Sequence, residues 1–247
     1  ILSMAFIAFK RRQEANQQVT LPIILVAVVC FQGALGMWTV TMLLKPAIVT
    51  LHLLGGMLTL ALLWWTALTH VHQTSQAIAV PSALQRLALI ALVVTYSQIA
   101  LGGWTSTNYV ALHCWDIPTC QGQWWPNMNF SEGFTIWRGL GVDYEGGTLS
   151  LEAGTAVHIM HRIGASITLL VVGGLALYLF LHSTKVKSTA LRRMSIALAL
   201  VLTLQITLGL LNIVLVLPTA IAVAHNGGAA ILLLTLVTIN RKLSANS

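Results

Sequence analysis

His52, His161 and His225 are the residues of this chain whose type and setting best suit metal chemistry. Each imidazole stands in a run otherwise apolar enough to cross a membrane: "KPAIVTLHLLGG", "HIMHRIGA" and "LPTAIAVAHNGG". A polar ring in such a place costs free energy unless something binds it. Each lies about six or seven residues inside its run from the same end. At about 1.5 Å per residue that is roughly 10 Å deep. One depth in three helices predicts a shared layer. Zinc or copper prefers tighter clusters with carboxylate or thiolate help. No Asp or Glu falls inside a full span, and Cys30, near mid-span, is expected to be a buried packing residue. A flat iron porphyrin clamped between two His of opposite helices suits the pattern better.

The neighbours of these His carry two readings each. Gly55 and Gly56, Gly164, and Gly227 and Gly228 either admit a large ring or let helices pack closely. Arg162 either pairs with a porphyrin propionate or snorkels to the surface. His158, three residues before His161 on one helix face, offers a hydrogen-bond partner, a transient ligand, a proton handler or a plain interfacial ring. His70, His72 and His182 fall at helix ends on the opposite side, and His113 falls in a loop beside Cys114 with a solvated or structural role.

The elements that must hold this layer are membrane spans. Of the 247 residues, 57% are hydrophobic and 8% charged, against roughly 25% charged in a soluble domain. Six spans are expected near 20–43, 47–69, 83–104, 154–182, 190–216 and 219–240. "ILSMAFIAF" before Lys10, Arg11 and Arg12 reads as the tail of a further helix, with another helix and a half expected before Ile1. Ten of the thirteen basic residues fall on one side: Lys10, Arg11, Arg12, Arg86, Lys185, Lys187, Arg192, Arg193, Arg241 and Lys242. That side is expected to be cytoplasmic, with the C-terminus. The acidic 105–153 loop, carrying Asp116, Glu132, Asp143, Glu145 and Glu152, then faces outward. The net charge of +7 is thus a topology signal, and no nucleic-acid motif, phosphate loop or Ser-His-Asp pattern accompanies it.

The chain also repeats itself. "QGALGMWTVTMLLKPAIVTLH" and "QITLGLLNIVLVLPTAIAVAH" each run 20 residues from Gln to His, with Gly four after the Gln and Pro at the turn. A third Gln-x-x-x-Gly runs from Gln98 to Gly102. The predicted fold is an all-α transmembrane bundle of two four-helix repeats: an incomplete one over residues 1–80 and a complete one over 81–247 with the large loop 105–153. Within that loop, "HCWDIPTCQGQWWP" places Cys114 and Cys120 in an oxidising compartment, where a disulfide is expected and a redox-active pair is the sharper alternative. Trp115, Trp124 and Trp125 suit a cap at headgroup level.

Together, "QGALGMWTVTMLLKPAIVTLHLLGG", "GGWTSTNYVALHCWDIPTCQGQWWP", "HIMHRIGA" and "AHNGGAA" resemble the haem A synthase family of cytochrome oxidase assembly proteins, of proteobacterial type. The resemblance covers essentially the whole chain. It implies eight transmembrane helices in two similar halves, in the bacterial inner membrane with the 105–153 loop periplasmic. It places a haem b cofactor in the second half, with His161 and His225 as axial ligands; Arg162 and Gly228, read from their positions beside these His, are the further cofactor-binding residues expected. It places haem O, the substrate, in the first half on His52. The partner His and the family's catalytic Glu belong to the segment before Ile1, and His158-x-x-His161-Arg162 lacks that Glu. The implied reaction oxidises the C8 methyl of haem O to the formyl of haem A by successive hydroxylations. The implied partners are haem O synthase, oxidase-assembly proteins, membrane lipid and a quinol or redox-protein electron donor. A dihaem b electron carrier and a haem-delivery or transport scaffold are the rival readings of the same His.

Overall fold

The computed structural model describes residues 1–14, 19–71 and 80–244, without the side chains of 70 and 71. His72 and part of the 70–86 loop therefore lie outside the described residues. All described regular structure is helical: α1 (Leu2–Lys10), α2 (Thr20–Thr41), α3 (Pro46–Val71), α4 (Ser82–Thr107), the short α5 (Phe130–Gly133), α6 (Leu151–Lys185), α7 (Thr189–Val214) and α8 (Thr219–Ser244). Six of them, α2, α3, α4, α6, α7 and α8, are long and apolar enough to cross a membrane, each over a segment expected to span. The chain is a multi-pass membrane protein. Inside a bilayer every backbone polar group must be satisfied within the chain, and helices achieve this.

Local chemistry sets the helix ends. Ser150 and Ser188 cap α6 and α7, their hydroxyls accepting from the amides of Ala153 and Leu191 at 3.3 Å. The α2–α3 and α7–α8 turns are built alike. Leu43 and Leu44 in one, and Val216 and Leu217 in the other, take the left-handed conformation with φ between 50° and 57°. Each closes with a backbone bond that reaches five residues back, Leu44 N to Thr39 O at 2.9 Å and Leu217 N to Asn212 O at 2.7 Å. Non-glycine residues in that region cost about 1–2 kcal/mol each. The same irregular turn therefore recurs where the sequence repeats, each time just before a proline-containing helix start.

In the second half, α4, α6, α7 and α8 close into a four-helix bundle, each packed on two of the others. Its buried apolar core includes Leu84 and Ala88 of α4, Leu175 and Leu179 of α6, Leu198 of α7 and Leu236 of α8. This core occupies the end of the bundle that carries the basic residues. On α7 the buried positions stop at Leu202, before Gln205, and on α8 they begin at Gly228, after His225. The apolar core thus stops short of the histidine layer.

The α2–α3 hairpin leans on this bundle through α3, which packs against α4 and α8. Tyr96 Oη donates to Leu54 O at 2.8 Å, Trp64 Nε1 donates to Thr238 Oγ1 at 2.8 Å, and the Thr50 and Thr107 hydroxyls meet at 3.1 Å. Interhelical hydrogen bonds of this kind are worth about 0.6 kcal/mol each in membranes, so they fix register more than stability. One expectation is corrected here. Cys30 is free and exposed, not buried. It lies on α2, which packs only against α1 and α3 among the described elements, so its face of the helix meets no core.

Candidate haem-ligand layer

His52, His161 and His225 are held by one device used three times. A helix supplies Gln and, four residues later, Gly; the helix packed against it supplies His and, three residues later, Gly. The pairs are α2 with α3, α4 with α6, and α7 with α8. Each imidazole sets its Cε1 edge on the first glycine. A Cβ added at Gly36, Gly102 or Gly209 would stand 3.2, 3.1 or 3.1 Å from Cε1 of His52, His161 or His225. Each glutamine amide oxygen rests on the second glycine, where a Cβ at Gly55, Gly164 or Gly228 would collide with Gln32, Gln98 or Gln205. Only glycine fits at these six positions without displacing a ring or an amide.

The three cradles differ in their hydrogen bonds. Gln98 Nε2 lies 3.0 Å from both His161 Nδ1 and His161 O. Gln205 Nε2 lies 3.4 Å from His225 Nε2. Gln32 Nε2 donates to His52 O at 2.7 Å. The buried Nδ1 atoms of His52 and His225 have no partner within the protein. A buried ring nitrogen without a partner costs about 1–3 kcal/mol, and a metal would remove that cost. Among the described residues no three His, Cys, Asp or Glu gather tightly enough for a bare metal ion. Buried ring nitrogens of His52 and His225 without protein partners, and an apolar core that stops below the layer, suit a haem.

Above the second-half layer the 105–153 loop folds over the bundle. Cys114 and Cys120 form a disulfide with Cα atoms 4.5 Å apart, and both residues are buried. Arg162, one residue after His161, holds the loop: Nη1 donates to Thr119 O at 2.8 Å, and Nη2 donates to the carbonyls of Cys114 and Asp116 at 2.7 and 2.9 Å. Its Nε–H points to His158 Nε2 at 3.3 Å, while the Cys114 amide points to His158 Nδ1 at 3.2 Å. His158 is buried, and because a neutral imidazole accepts at only one nitrogen, one of these two contacts is a hydrogen bond to its ring and the other a close approach. Trp115, Trp124 and Trp125 are exposed on this cap. His113 packs against Gly154, where any Cβ would strike its ring, and burial pulls its imidazole below the ordinary histidine value. Lys45, at the start of α3, is buried, with Nζ 3.6 Å from the Trp137 ring centroid and bonded to the carbonyls of Arg138 and Gly139.

Asp116 organises the disulfide turn. Its carboxylate accepts from the Thr119 hydroxyl and from the amides of Gly122 and Gln121, and these bonds, the Thr119 one foremost, hold its pKa at about 2. The folded value is depressed, so this stabilisation is complete above the unfolded aspartate value of about 3.9 and is lost as pH falls from there towards 2. Asp116→Asn is expected to speed reduction of the buried disulfide at neutral pH. The ratio of variant to wild-type rates with a water-soluble phosphine should fall towards one as the pH drops through that window.

The sequence pointed to each His and to each Gln-x-x-x-Gly but not to their pairing across helices. Gln98 and His161 are 63 residues apart with the loop between them. The signal was present in the thrice-repeated spacing of Gln, Gly, His and Gly.

Residues 1–237 match the cytochrome oxidase assembly protein family (COX15-CtaA). The chain is also 46% identical over 223 residues to a protein of Shewanella oneidensis named Heme A synthase, an overlap of 89% of this chain and 65% of that protein. It therefore spans slightly less than two thirds of the length of that relative. With the family matched across nearly its whole length, the chain belongs to the cytochrome oxidase assembly protein family COX15-CtaA.

Proposed function

We propose that this chain is part of a haem A synthase, an oxidoreductase that converts the C8 methyl of haem O to the formyl group of haem A. The observation that carries this reading is the similarity to a protein named Heme A synthase, joined to histidine cradles that suit porphyrin iron. In this reading His161 and His225 hold a haem b and His52 holds the substrate, haem O. A haem so ligated supplies one-electron transfer, its potential tuned by the ligands and their surroundings.

The chain's own residues position and insulate. Gly102 and Gly209 seat the ligand rings, and Gly164 and Gly228 seat the glutamine amides beside them. Arg162 ties the disulfide loop down over the second-half site. Four of its five N–H groups are engaged there, which leaves one for a propionate. The α3 contacts to α4 and α8 hold His52 at a fixed spacing from the second-half pair.

The chain is proposed to lie in the bacterial inner membrane with the 105–153 loop periplasmic and the C-terminus cytoplasmic, following the distribution of basic residues. Haem O synthase, oxidase-assembly proteins and a quinol or redox-protein donor are the proposed partners. Two experiments test this reading. Pigment extraction from the full-length protein should yield haem b together with haem O or haem A; two haems b would make it an electron carrier, and no haem a transporter. A membrane-impermeant thiol reagent should label Cys114 and Cys120 in intact cells only after reduction, and labelling without reductant would refute the topology or the disulfide in the native protein.

A further inference from the structure

The three cradles stay alike for one more helical turn. Three residues after the glycine that seats the ring, towards the end of the bundle that carries the 105–153 loop, each has a polar side chain: Thr39 after Gly36, Thr105 after Gly102 and Asn212 after Gly209. Residues three apart share a helix face. The two threonines are satisfied on their own helices, Thr39 Oγ1 donating to Gly36 O at 2.7 Å and Thr105 Oγ1 to Leu101 O at 2.8 Å. Asn212 differs. Its Oδ1 is buried with no hydrogen-bond partner, and its amide also brings two N–H donors. The residue lies on the inner face of α7. The buried positions of that helix run from Leu191 through Ser195 and Leu198 to Leu202, and the same alternation of four and three residues continues through Gln205, Gly209 and Asn212. Asn212 therefore stands one step above the seat of His225, about 4.5 Å nearer the loop end.

We propose that Asn212 binds a propionate of the second-half porphyrin, its side-chain N–H donating to the carboxylate. This rests on the reading of His161 and His225 as axial ligands of a haem b. The direction of the carboxylates follows from the packing. Below the histidine layer the bundle is filled by an apolar core, where a charged carboxylate is costly. The propionates must therefore point to the loop end, and there the inner face of α7 offers Asn212. The first half has no such donor on α2. The proton of the Thr39 hydroxyl is already given to Gly36 O, which leaves only acceptor capacity, and an ionised carboxylate cannot use that. The tether thus belongs to the half that keeps its porphyrin as a cofactor.

The test uses the full-length protein made without haem and titrated either with haem b or with haem b dimethyl ester, whose carboxyl groups carry no charge. Asn212→Asp keeps the side-chain size and replaces the donors with a like charge. It should weaken binding of haem b by roughly 10–100-fold, the worth of a hydrogen bond to a charged group, and leave binding of the ester nearly unchanged. Intact ester binding also shows that the variant folds. Asn212→Leu, which removes the donor and adds no charge, should shift the propionate-bending band in the resonance Raman spectrum of the bound haem b. Equal losses for haem b and its ester would make Asn212 a packing residue and overturn the proposal. Unchanged affinity for haem b in the Asp variant, or an unshifted band in the Leu variant, would place the amide against lipid or water and overturn it as well. His225→Ala separates the two layers of inference: if it keeps a normal low-spin haem b, the ligand assignment itself fails, whereas loss of that haem together with any of the contrary Asn212 results sinks the propionate contact alone.

Discussion

His161→Ala and His225→Ala are each expected to strip the second-half haem from the protein, leaving no normal low-spin haem b spectrum after purification. Removing only the hydrogen-bond partner of a ligating histidine typically costs about 10–100-fold in metal affinity, and removing the ligand itself should exceed that. The structure gives two reasons for so large an effect. Each ring is held individually, by Gly102 and Gln98 in one case and Gly209 and Gln205 in the other, so no neighbouring imidazole can swing in. His158, the nearest candidate on α6, is committed to Cys114 and Arg162. His158→Ala should therefore keep the haem and loosen the loop above it.

The second large effect is expected at His52. His52→Ala should retain the second-half haem with its normal spectrum and abolish conversion of haem O. The separation follows from placement. His52 belongs to the α2–α3 cradle with Gln32, Gly36 and Gly55, while the apolar core of the second bundle is built without any α2 or α3 residue. The side chain lost is half-buried and its Nδ1 bonds nothing in the protein. The variant should thus fold, and the loss should appear in turnover rather than in stability. Haem A accumulation in cells that supply haem O measures it, with the purified protein's haem b content as the control.

Much of the architecture could be read from the residues because the membrane imposes it. An apolar run of about 20 residues leaves few choices, and all six expected spans are helices within a few residues of their predicted ends. Histidine stood out for the same reason, since an imidazole in an apolar run needs a partner. What periodicity does not encode is the register of one helix against another. Gln98 could be seen, but its contact with His161 depends on how α4 and α6 slide past each other. Cys30 shows a related gap: α2 is apolar all round, so its composition gives no signal of which side meets protein. Arg162 shows a third. Its neighbour His161 suggested a propionate, whereas its hydrogen bonds go to loop carbonyls at 114, 116 and 119, and a loop's backbone path leaves no trace in side-chain pattern.

The claim at the centre is that one chain holds two porphyrin places of different kind, a fixed one on His161 and His225 and an exchanging one on His52. Pigments extracted in parallel from full-length His225→Ala and His52→Ala proteins, purified from cells that make haem O, test it most directly. The expected pattern is reciprocal: His225→Ala loses haem b, and His52→Ala keeps haem b but carries neither haem O nor haem A. Identical pigment content in the two variants, whether both retain or both lose the same haem, would contradict it.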